Sequence, residues 1–425
     1  MKPGIQLAYA AARLAGRLRR RNRRTTPLPA RQADPGISVV IPSRNGKDLL
    51  AAQLPGIVRE LPPASEILVV DNGSDDGTAA WLKASFPEVA VAVSPQPLSF
   101  ARAANHGLEA ARYSRVCLLN NDMLIDPGFF AALDRAFDCV PDLFCATAQI
   151  RFPQGVRREE TGKAVMAQTD PQDFPLRCDE PLPEEDLTYV LYGSGGCSLY
   201  DAGRLRELGG FDPVYEPAYV EDLDIGFRAW QRDWPSVYVA GAGLEHRHRA
   251  TTSRYYTPRQ LEEMLEVNYL RFLARAVSSP PAFRRLWIQA LDRLRLRSDY
   301  QTLRQAGRIA LGGGPALVPV RSEEQVLALT NGTVFVFPGR PRTGKPRAVL
   351  AAASPQRSDR ADRDEILVAL SDSPMAPAPD VRASYLETVL IQKGPSAALS
   401  FQAALEQTIR KWQPQTVERE SAPKP

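Results

Sequence analysis

The chain has 425 residues, of which 44% are hydrophobic and 24% charged, a balance that excludes wholesale disorder and collagen-like structure. This length favours two or three domains. No stretch approaches the about 18 uninterrupted apolar residues of a membrane-spanning helix. The five cysteines form no C-x-x-C pair, so we expect reduced thiols and a cytoplasmic location rather than a disulfide scaffold or a zinc ribbon.

Positive charge is concentrated at one end of the chain. Residues 1–33 contain nine Lys or Arg and no Asp or Glu, and the remainder contains 44 basic against 49 acidic residues. The remainder is therefore weakly acidic, which argues against a nucleic-acid-binding core. We expect no nucleic-acid partner.

Residues 5–21 predict a short helix that ends in a run of arginines. One stripe of this helix is apolar: Leu7, Ala10, Leu14 and Leu18. Arg13 and Arg17 interrupt the apolar run and no cleavage site follows, which excludes a secretory signal peptide. Two interpretations stay open, a helix that lies on anionic lipid or a solvated basic tail.

Strands and helices alternate from residue 36 to about residue 150. Four apolar strands are predicted, at 37–43, 66–72, 89–94 and 115–122. Strands this rich in Val, Ile and Leu, separated by helices, predict an α/β fold with a mostly parallel sheet that is covered on both faces. Such sheets bind ligands beyond the carboxyl ends of their strands, so polar residues at those ends are the candidates for chemistry.

The second half of the chain is more varied. Residues 151–188 predict a polar loop, 221–233 a helix, and 258–308 a set of Arg-rich helices. After a boundary near 312–345, three strands are predicted at 347–354, 365–372 and 386–393, with a helix at 395–412. The predicted organisation is a basic arm (1–35), a main α/β domain (36–257), a helical Arg-rich extension (258–311) and a small Rossmann-like region (345–425).

Asp71 closes the second predicted strand and precedes the sequence Asn-Gly-Ser-Asp-Asp-Gly-Thr. This composition is typical of a turn, and Ser or Asp here would also cap the next helix. A carboxylate in this position can also accept a hydrogen bond from the imide N–H of a pyrimidine base. Both interpretations stay open on this motif alone.

Asn120, Asn121 and Asp122 close the fourth predicted strand. A carboxylate at this sheet edge can hold Mg²⁺ or Mn²⁺ that bridges two phosphates, because such ions need only one or two protein carboxylates beside phosphate and water. An ordinary strand-to-loop turn explains the residues equally well.

Glu221 and Asp222 open a predicted helix. Acids in a first helical turn complement the helix dipole, and the same position keeps a carboxylate ionised, as a general base requires. Asp224 lies two positions further on and therefore points elsewhere, as a capping or surface acid. His246 and His248 form an H-x-H pair on an extended segment, where neighbouring side chains alternate, so at most one of them enters a given site.

Taken in order, four motifs closely resemble the family 2 glycosyltransferases, in particular bacterial members of the rhamnosyltransferase type. They are ISVVIPSRNGKDLL, EILVVDNGSDDGT, PLSFARAANHGLEAARYSRVCLLNNDM and GSGGCSLYDAGRLRELGGFDPVYEPAYVEDLDIGFRAW. The resemblance runs from about residue 37 to residue 256.

The resemblance implies a GT-A fold, a UDP- or dTDP-linked sugar donor, Mg²⁺ or Mn²⁺ as cofactor, and transfer with inversion to a glycan or lipid-linked acceptor. It makes Asp222 the catalytic base and assigns Asp122 and His246 to the metal, with His248 as the alternative histidine. The implied donor-binding residues are Pro42, Ser43, Asn45, Asp71, Asn105, Asn121, Gly195, Gly196 and Glu221.

The predicted strands and helix of 345–425 resemble the start of a GT-B-type glycosyltransferase, which predicts an inactive remnant or a packing domain. The basic arm and the Arg-rich helices predict peripheral contact with the inner membrane face, in surface polysaccharide synthesis. Two alternatives stay open: a catalytically inactive sugar-nucleotide-binding or scaffold protein, and a nucleotidyltransferase. The latter lacks its glycine- and lysine-rich phosphate loop after the first strand.

Overall fold

The structure is a computed structural model that describes residues 3–19, 26–153, 162–167, 170–247, 254–312, 319–340, 344–356 and 364–420. Within these residues the strands are β1 (Asp34–Ser43), β2 (Ser65–Asn72), β3 (Val89–Ser94), β4 (Tyr113–Leu119), β5 (Met123–Ile125), β6 (Cys145–Arg151), β7 (Ala164–Val165), β8 (Arg177–Cys178), β9 (Tyr189–Val190), β10 (Cys197–Asp201), β11 (Ser236–His246), β12 (Val334–Pro338), β13 (Ala348–Ala352), β14 (Glu365–Ser371), β15 (Glu387–Gln392) and β16 (Thr416–Arg419). The helices are α1 (Pro3–Arg17), α2 (Lys47–Glu60), α3 (Thr78–Ser85), α4 (Phe100–Ala110), α5 (Phe129–Cys139), α6 (Ala202–Glu207), α7 (Glu221–Gln231), α8 (Pro258–Ala276), α9 (Pro280–Leu296), α10 (Tyr300–Leu311), α11 (Glu323–Thr330), α12 (Pro379–Ser384) and α13 (Ala397–Trp412).

Nine strands form the main sheet, in the order β3-β2-β1-β4-β10-β6-β11-β5, with β9 paired to β11. Neighbours within β3-β2-β1-β4 are parallel, as are β6 and β11, whereas β10 runs antiparallel to β4 and β6. The predicted α/β fold with a mostly parallel sheet is confirmed. The four predicted strands correspond to β1, β2, β3 and β4.

Helix α4 shows how the layers pack on this sheet. Ser99 caps its first turn by accepting a hydrogen bond from the backbone N–H of Arg102, as N-cap serines do. At Gly107 a Cβ atom would lie 2.2 Å from a methyl carbon of Val40 in β1. Only glycine allows this close approach, so α4 is held directly against the parallel strands.

A second sheet has the order β12-β15-β14-β13-β16. It contains the three strands predicted at 347–354, 365–372 and 386–393, and α13 corresponds to the predicted helix. The sheet also takes in β12, which lies before the predicted start at 345, and β16. Two hydrogen bonds from the backbone of Val336 join the first strand of this sheet to the main domain. The Val336 carbonyl accepts from the N–H of Asp186, and the Val336 N–H donates to the Thr188 side-chain hydroxyl.

Helices α8, α9 and α10 form a layer on which α1 packs. The buried face of α1 consists of Ile5, Ala8, Tyr9, Ala12, Ala15 and Gly16. Trp287 of α9 donates from its indole N–H to the Ala12 carbonyl at 3.1 Å, and Tyr9 donates to Asp292 at 2.6 Å. The solvated-tail interpretation is therefore wrong for the described part of the arm. Among the described helices, none combines the length and the hydrophobicity that crossing a membrane would need.

Candidate active site

The carboxyl ends of β1, β2 and β4 meet at one edge of the main sheet. Ser43 at the end of β1 is paired in register with Asp71 at the end of β2. Asn121, just beyond β4, donates from its side-chain amide to the Ser43 hydroxyl at 2.8 Å. Residues from three separate motifs therefore lie in contact at the edge where parallel sheets bind ligands.

The turn after β2 is tied to the turn after β1. Asp71 is buried, and its carboxylate accepts a hydrogen bond from the Ser74 N–H at 3.2 Å. Asn45 donates from its N–H to the Ser74 hydroxyl at 2.9 Å and accepts from the Asp75 N–H at 2.9 Å. The turn interpretation of this motif is correct, and the same hydrogen bonds hold Asp71 at the ligand-binding edge.

Asp122 faces His246 across the start of β5. The carboxylate oxygen Oδ1 of Asp122 lies 3.3 Å from Nε2 of His246, and the exposed fractions of the two side chains are 7% and 14%. The pairing of His246 with Met123 in neighbouring strands brings the histidine to this position. A carboxylate and an imidazole therefore point at one another at the ligand-binding edge.

This pair fits a divalent ion. Carboxylate oxygen and imidazole nitrogen both bind divalent metals at about 2.0–2.2 Å, so two atoms 3.3 Å apart can share one ion. Within the described residues no cluster of three or more candidate ligands occurs. The pair would leave coordination positions for diphosphate oxygens and water, as is usual for Mg²⁺ at phosphate sites.

Gly195 and Gly196 connect this edge to the helix that carries Asp222. The Asn120 N–H donates to the Gly196 carbonyl at 2.8 Å, and the Gly195 N–H donates to Oδ2 of Asp222 at 3.2 Å. A Cβ at Gly196 would lie 2.4 Å from the Asn120 amide nitrogen, whereas one at Gly195 would have its nearest neighbours at 3.4 Å. Only Gly196 is required by a close approach.

We expect Gly196→Ala to lower the free energy of unfolding by about 1–3 kcal/mol, because the new methyl group must displace Asn120. Gly195→Ala is the matched control and should change stability by less than about 0.5 kcal/mol, since its methyl group makes ordinary contacts. Urea unfolding of both variants checks this difference. Equal destabilisation of the two would contradict the assigned close approach.

Asp222 lies in the first turn of α7 and is partly exposed. Its Oδ1 accepts from the Leu223 N–H at 2.8 Å and its Oδ2 from the Gly195 N–H at 3.2 Å. Burial raises the pKa of this carboxyl above its usual value, and the two backbone N–H groups oppose that rise. The carboxylate is thus held in one orientation with an increased affinity for a proton, the combination that suits a general base.

Glu221 lies beside Asp222 but is buried, with 6% of its surface exposed. Its Oε2 has no hydrogen-bond partner among the residues that the structure describes. Burial first, and the neighbouring Asp222 charge second, raise the pKa of Glu221 to about 8. Glu221 is therefore protonated at neutral pH, which places a neutral acid next to the candidate base.

Glu221→Gln should make the chain more stable at alkaline pH. Because the pKa of Glu221 is about 8 in the fold and 4.5 in the reference state, its stabilisation is complete below about pH 4.5 and is lost as the pH rises toward 8. Glutamine has no such loss, so the gain in unfolding free energy should grow over that window to about 5 kcal/mol. Thermal unfolding at pH 5, 7 and 8.5 measures it, and a gain that does not change with pH would contradict the buried neutral acid.

Three of the residues named from the sequence have surroundings that differ from the simplest expectation or lie outside the described residues. Asn105 uses both ends of its amide on the backbone of Phe211, at 2.7 and 2.9 Å, so it fixes the chain here, and its contact with a donor stays a prediction. Asp224 is buried, accepting from Tyr215 and Arg228, and is not a surface acid. His248 lies outside the described residues.

Sequence reasoning missed side chains that brace the site. Gln53 of α2 donates to the Asn120 carbonyl at 2.5 Å and to the Met123 carbonyl at 2.9 Å, clamping the loop that contains Asp122. Arg254 donates to the Asn45 carbonyl at 2.5 Å. The only sequence signal for Gln53 is that a glutamine lies within an apolar helix face. No local signal marks Arg254.

A cavity of about 830 Å³ opens on the side of Asp222 that faces α8. Much of its lining is aromatic or aliphatic: Phe174, Leu176, Tyr192, Tyr219, Leu261 and Leu265. Arg177, Arg259 and Glu262 add charge at this cavity. Asp222 therefore lies between two features. One is the loop that contains Gly195 and Gly196, near the carboxyl ends of the strands, and the other is this largely apolar cavity.

The structure combines an α/β fold, acids at the ends of parallel strands, and a carboxylate at a helix start beside a glycine loop. Together these features are the arrangement of a GT-A glycosyltransferase. Residues 35–264, more than half of the chain, match the family described as "Glycosyltransferase like family 2". The chain belongs to this family and is a glycosyltransferase, as its motifs predicted.

Among curated proteins, the chain is similar to an N-acetylglucosaminyl-diphospho-decaprenol L-rhamnosyltransferase of Mycobacterium tuberculosis. The two are 27% identical over 212 residues, which cover 44% of this chain and 68% of the relative.

Solved structures with lower similarity include GalNAc-T7 with UDP, GalNAc and Mn²⁺ (18% identity, TM-score 0.43, covering 56% of this chain and 48% of that one). They also include a Pyrobaculum calidifontis mannosyltransferase with GDP-Man and Mn²⁺ (17%, TM-score 0.41, 72% and 83%). A third is TarS of S. aureus (14%, TM-score 0.44, 61% and 71%). The matched part spans about half the length of the GalNAc-T7 chain.

Proposed function

We propose that this glycosyltransferase moves a sugar from a UDP- or dTDP-linked donor to a hydroxyl of a glycan or lipid-linked acceptor, with inversion at the anomeric carbon. The observation that carries the proposal is the position of Asp222. Its carboxylate is held by two backbone N–H groups, one of them from the glycine loop that also contacts Asn120. A single base therefore borders both the donor edge and the apolar cavity.

The donor half of the proposal assigns the strand ends to the nucleotide diphosphate. Asp71 would accept from the imide N–H of the pyrimidine, with Pro42, Ser43, Asn45 and Asn121 along the nucleotide. Asp122 and His246 would hold Mg²⁺ or Mn²⁺, whose bound charge would stabilise the departing diphosphate. The pairing of Ser43 with Asp71, the hydrogen bond from Asn121 to Ser43 and the contact of Asp122 with His246 support this assignment.

In the reaction, the acceptor hydroxyl enters from the cavity and Asp222 takes its proton. The acceptor oxygen forms a bond to the anomeric carbon while the bond from that carbon to the diphosphate oxygen breaks, and the leaving group keeps the electron pair. One displacement from the opposite face inverts the configuration. Glu221 stays protonated beside the base and therefore does not compete for the same proton.

The acceptor half rests on the cavity beside Asp222. Its aromatic and aliphatic lining suits the apolar faces of a sugar ring or a lipid chain, and arginine is well suited to bind phosphate. By analogy with the curated relative, whose name describes a lipid-diphosphate acceptor, we place this chain in bacterial surface polysaccharide synthesis, in the cytoplasm and in peripheral contact with the membrane.

The test is a screen of UDP-, dTDP- and GDP-sugars with Mg²⁺ or Mn²⁺, read by thermal shift and by release of nucleoside diphosphate. The proposal predicts that a pyrimidine donor stabilises the chain only with metal and is slowly hydrolysed. A preference for the GDP-sugar would overturn the pyrimidine assignment. Binding of none of the donors would favour the scaffold alternative.

A further inference from the structure

One stripe of α1 remains exposed although the helix is docked. Leu7, Leu14 and Leu18 are 74%, 56% and 61% exposed, among the most exposed large apolar residues of the described chain. Their spacing of seven and four residues places Leu7, Leu14 and Leu18, the residue directly after α1, on one side of the helix, away from its buried residues. The helix therefore presents one apolar face to the protein and another to solvent.

The charged residues within α1 and α10 are all arginines. Arg13 and Arg17 are exposed on α1, and Arg304 and Arg308 are exposed on the neighbouring α10. Neither helix contains an acidic residue within its bounds. An apolar stripe bordered by arginines is the composition of a helix that lies in the interface of an anionic membrane.

Three other arginines of the Arg-rich helices are paired with acids. Arg293 and Arg297 pair with Glu266, and Arg295 pairs with Asp292. Arg284 and Arg285 are exposed on α9, and Arg304 and Arg308 are exposed on α10. Exposed positive charge from 284–308 therefore lies on both helices that pack against α1.

Neighbouring surface depressions lie between the candidate base and α1. The cavity beside Asp222 shares the lining residues Arg259 and Glu262 with a groove of about 360 Å³. That groove shares Tyr300 with a third depression of about 220 Å³, which contains Leu7 and Arg304. The proposed acceptor cavity and α1 are thus separated by one neighbouring groove.

We infer that the exposed faces of α1 and α10 form a docking surface for an anionic lipid membrane, which holds the acceptor cavity close to that membrane. We call this the α1–α10 surface; it consists of the exposed leucines and arginines Leu7, Leu14, Leu18, Arg13, Arg17, Arg304 and Arg308. The inference rests on the proposed function for its lipid-linked acceptor. Insertion of the leucines supplies apolar burial, while the arginines select anionic headgroups.

The experiment is co-sedimentation of the full chain with vesicles of phosphatidylcholine alone or of equal parts phosphatidylcholine and phosphatidylglycerol. The wild type should bind the mixed vesicles at least about tenfold more strongly than the neutral ones. Combined substitution Leu7→Gln, Leu14→Gln and Leu18→Gln should weaken binding to mixed vesicles by about tenfold or more. Combined Arg13→Gln and Arg17→Gln should remove roughly fivefold for each arginine.

The matched control changes three exposed apolar residues in the region of the second sheet: Met375→Gln, Leu399→Gln and Val417→Gln. These side chains are 68%, 43% and 40% exposed, and their loss should leave vesicle binding unchanged. Equal weakening by both triple variants, or a wild type that ignores anionic vesicles, would overturn the inference. So would self-association of the wild type that the leucine variant abolishes, because the stripe would then join two copies.

Donor hydrolysis without vesicles separates this inference from the proposed function. The leucine variant should hydrolyse the donor as fast as the wild type, since none of the proposed donor-binding residues lies on α1. Hydrolysis without vesicle binding would refute the docking surface alone. Vesicle binding without any donor binding or hydrolysis would refute the proposed function alone.

Discussion

Asp222→Asn is expected to reduce the rate of sugar transfer by about 10²- to 10⁴-fold, the usual contribution of a positioned general base. The amide cannot take the acceptor proton. Donor affinity should change by less than about threefold, because the assigned nucleotide contacts lie at the strand ends and not on α7. Turnover with a saturating acceptor and calorimetric donor binding measure the two effects separately.

The variant should remain folded, which makes the loss of turnover interpretable. Both carboxylate oxygens accept backbone hydrogen bonds, from Gly195 and Leu223, and asparagine can satisfy only one of them. The expected cost is about 1–2 kcal/mol of unfolding free energy. Glu216→Gln, an exposed carboxylate paired with Arg102, is the matched control and should keep transfer within about twofold of the wild type.

The pH dependence of transfer provides a second readout of the same residue. Because burial raises the pKa of Asp222, the rate should fall with decreasing pH at values above the ordinary range of aspartate. The acid limb should disappear from the residual activity of Asp222→Asn. An unchanged acid limb in the variant would assign the titration to another group and remove Asp222 as the base.

Local pattern was sufficient to predict the strands β1, β2 and β4. They are runs of Val, Ile, Leu and Cys with polar residues at their carboxyl ends, and the parallel order of an α/β sheet brings those ends together. Asp71 and Asp122 could therefore be placed at one edge from the sequence alone. Their immediate neighbours in the turns follow from the same reasoning.

The parts that could not be predicted depend on contacts between distant segments. β10 enters between β4 and β6 in the antiparallel direction, and this pairing brings Gly195 to Asp222 and Gly196 to Asn120. The hydrogen bonds of Asn105 could not be predicted for the same reason, since its partner Phe211 is 106 residues away. Spacing alone showed that Asp224 points away from Asp222, but not that Tyr215 and Arg228 would enclose it.

Asp122→Ala is expected to abolish the dependence of donor binding on metal and to weaken donor affinity by at least about tenfold. Asp122 supplies the negative charge of the proposed metal site, and His246, at 3.3 Å, offers only a nitrogen ligand. A titration of UDP- and dTDP-sugars with and without Mn²⁺ measures the loss. Folding should be unaffected, because the loop stays clamped through its carbonyls by Gln53.

The matched control is Asp126→Ala, four residues further along the chain. Asp126 directly follows β5, which Asp122 directly precedes, and it pairs with Arg151. Its removal therefore changes the local charge by the same amount and leaves the Asp122–His246 pair in place. The control should keep metal-dependent donor binding within about twofold. If both variants lose it, long-range charge and not ligation explains the effect. If neither loses it, the divalent ion lies elsewhere, and the strand-end network binds the nucleotide without it.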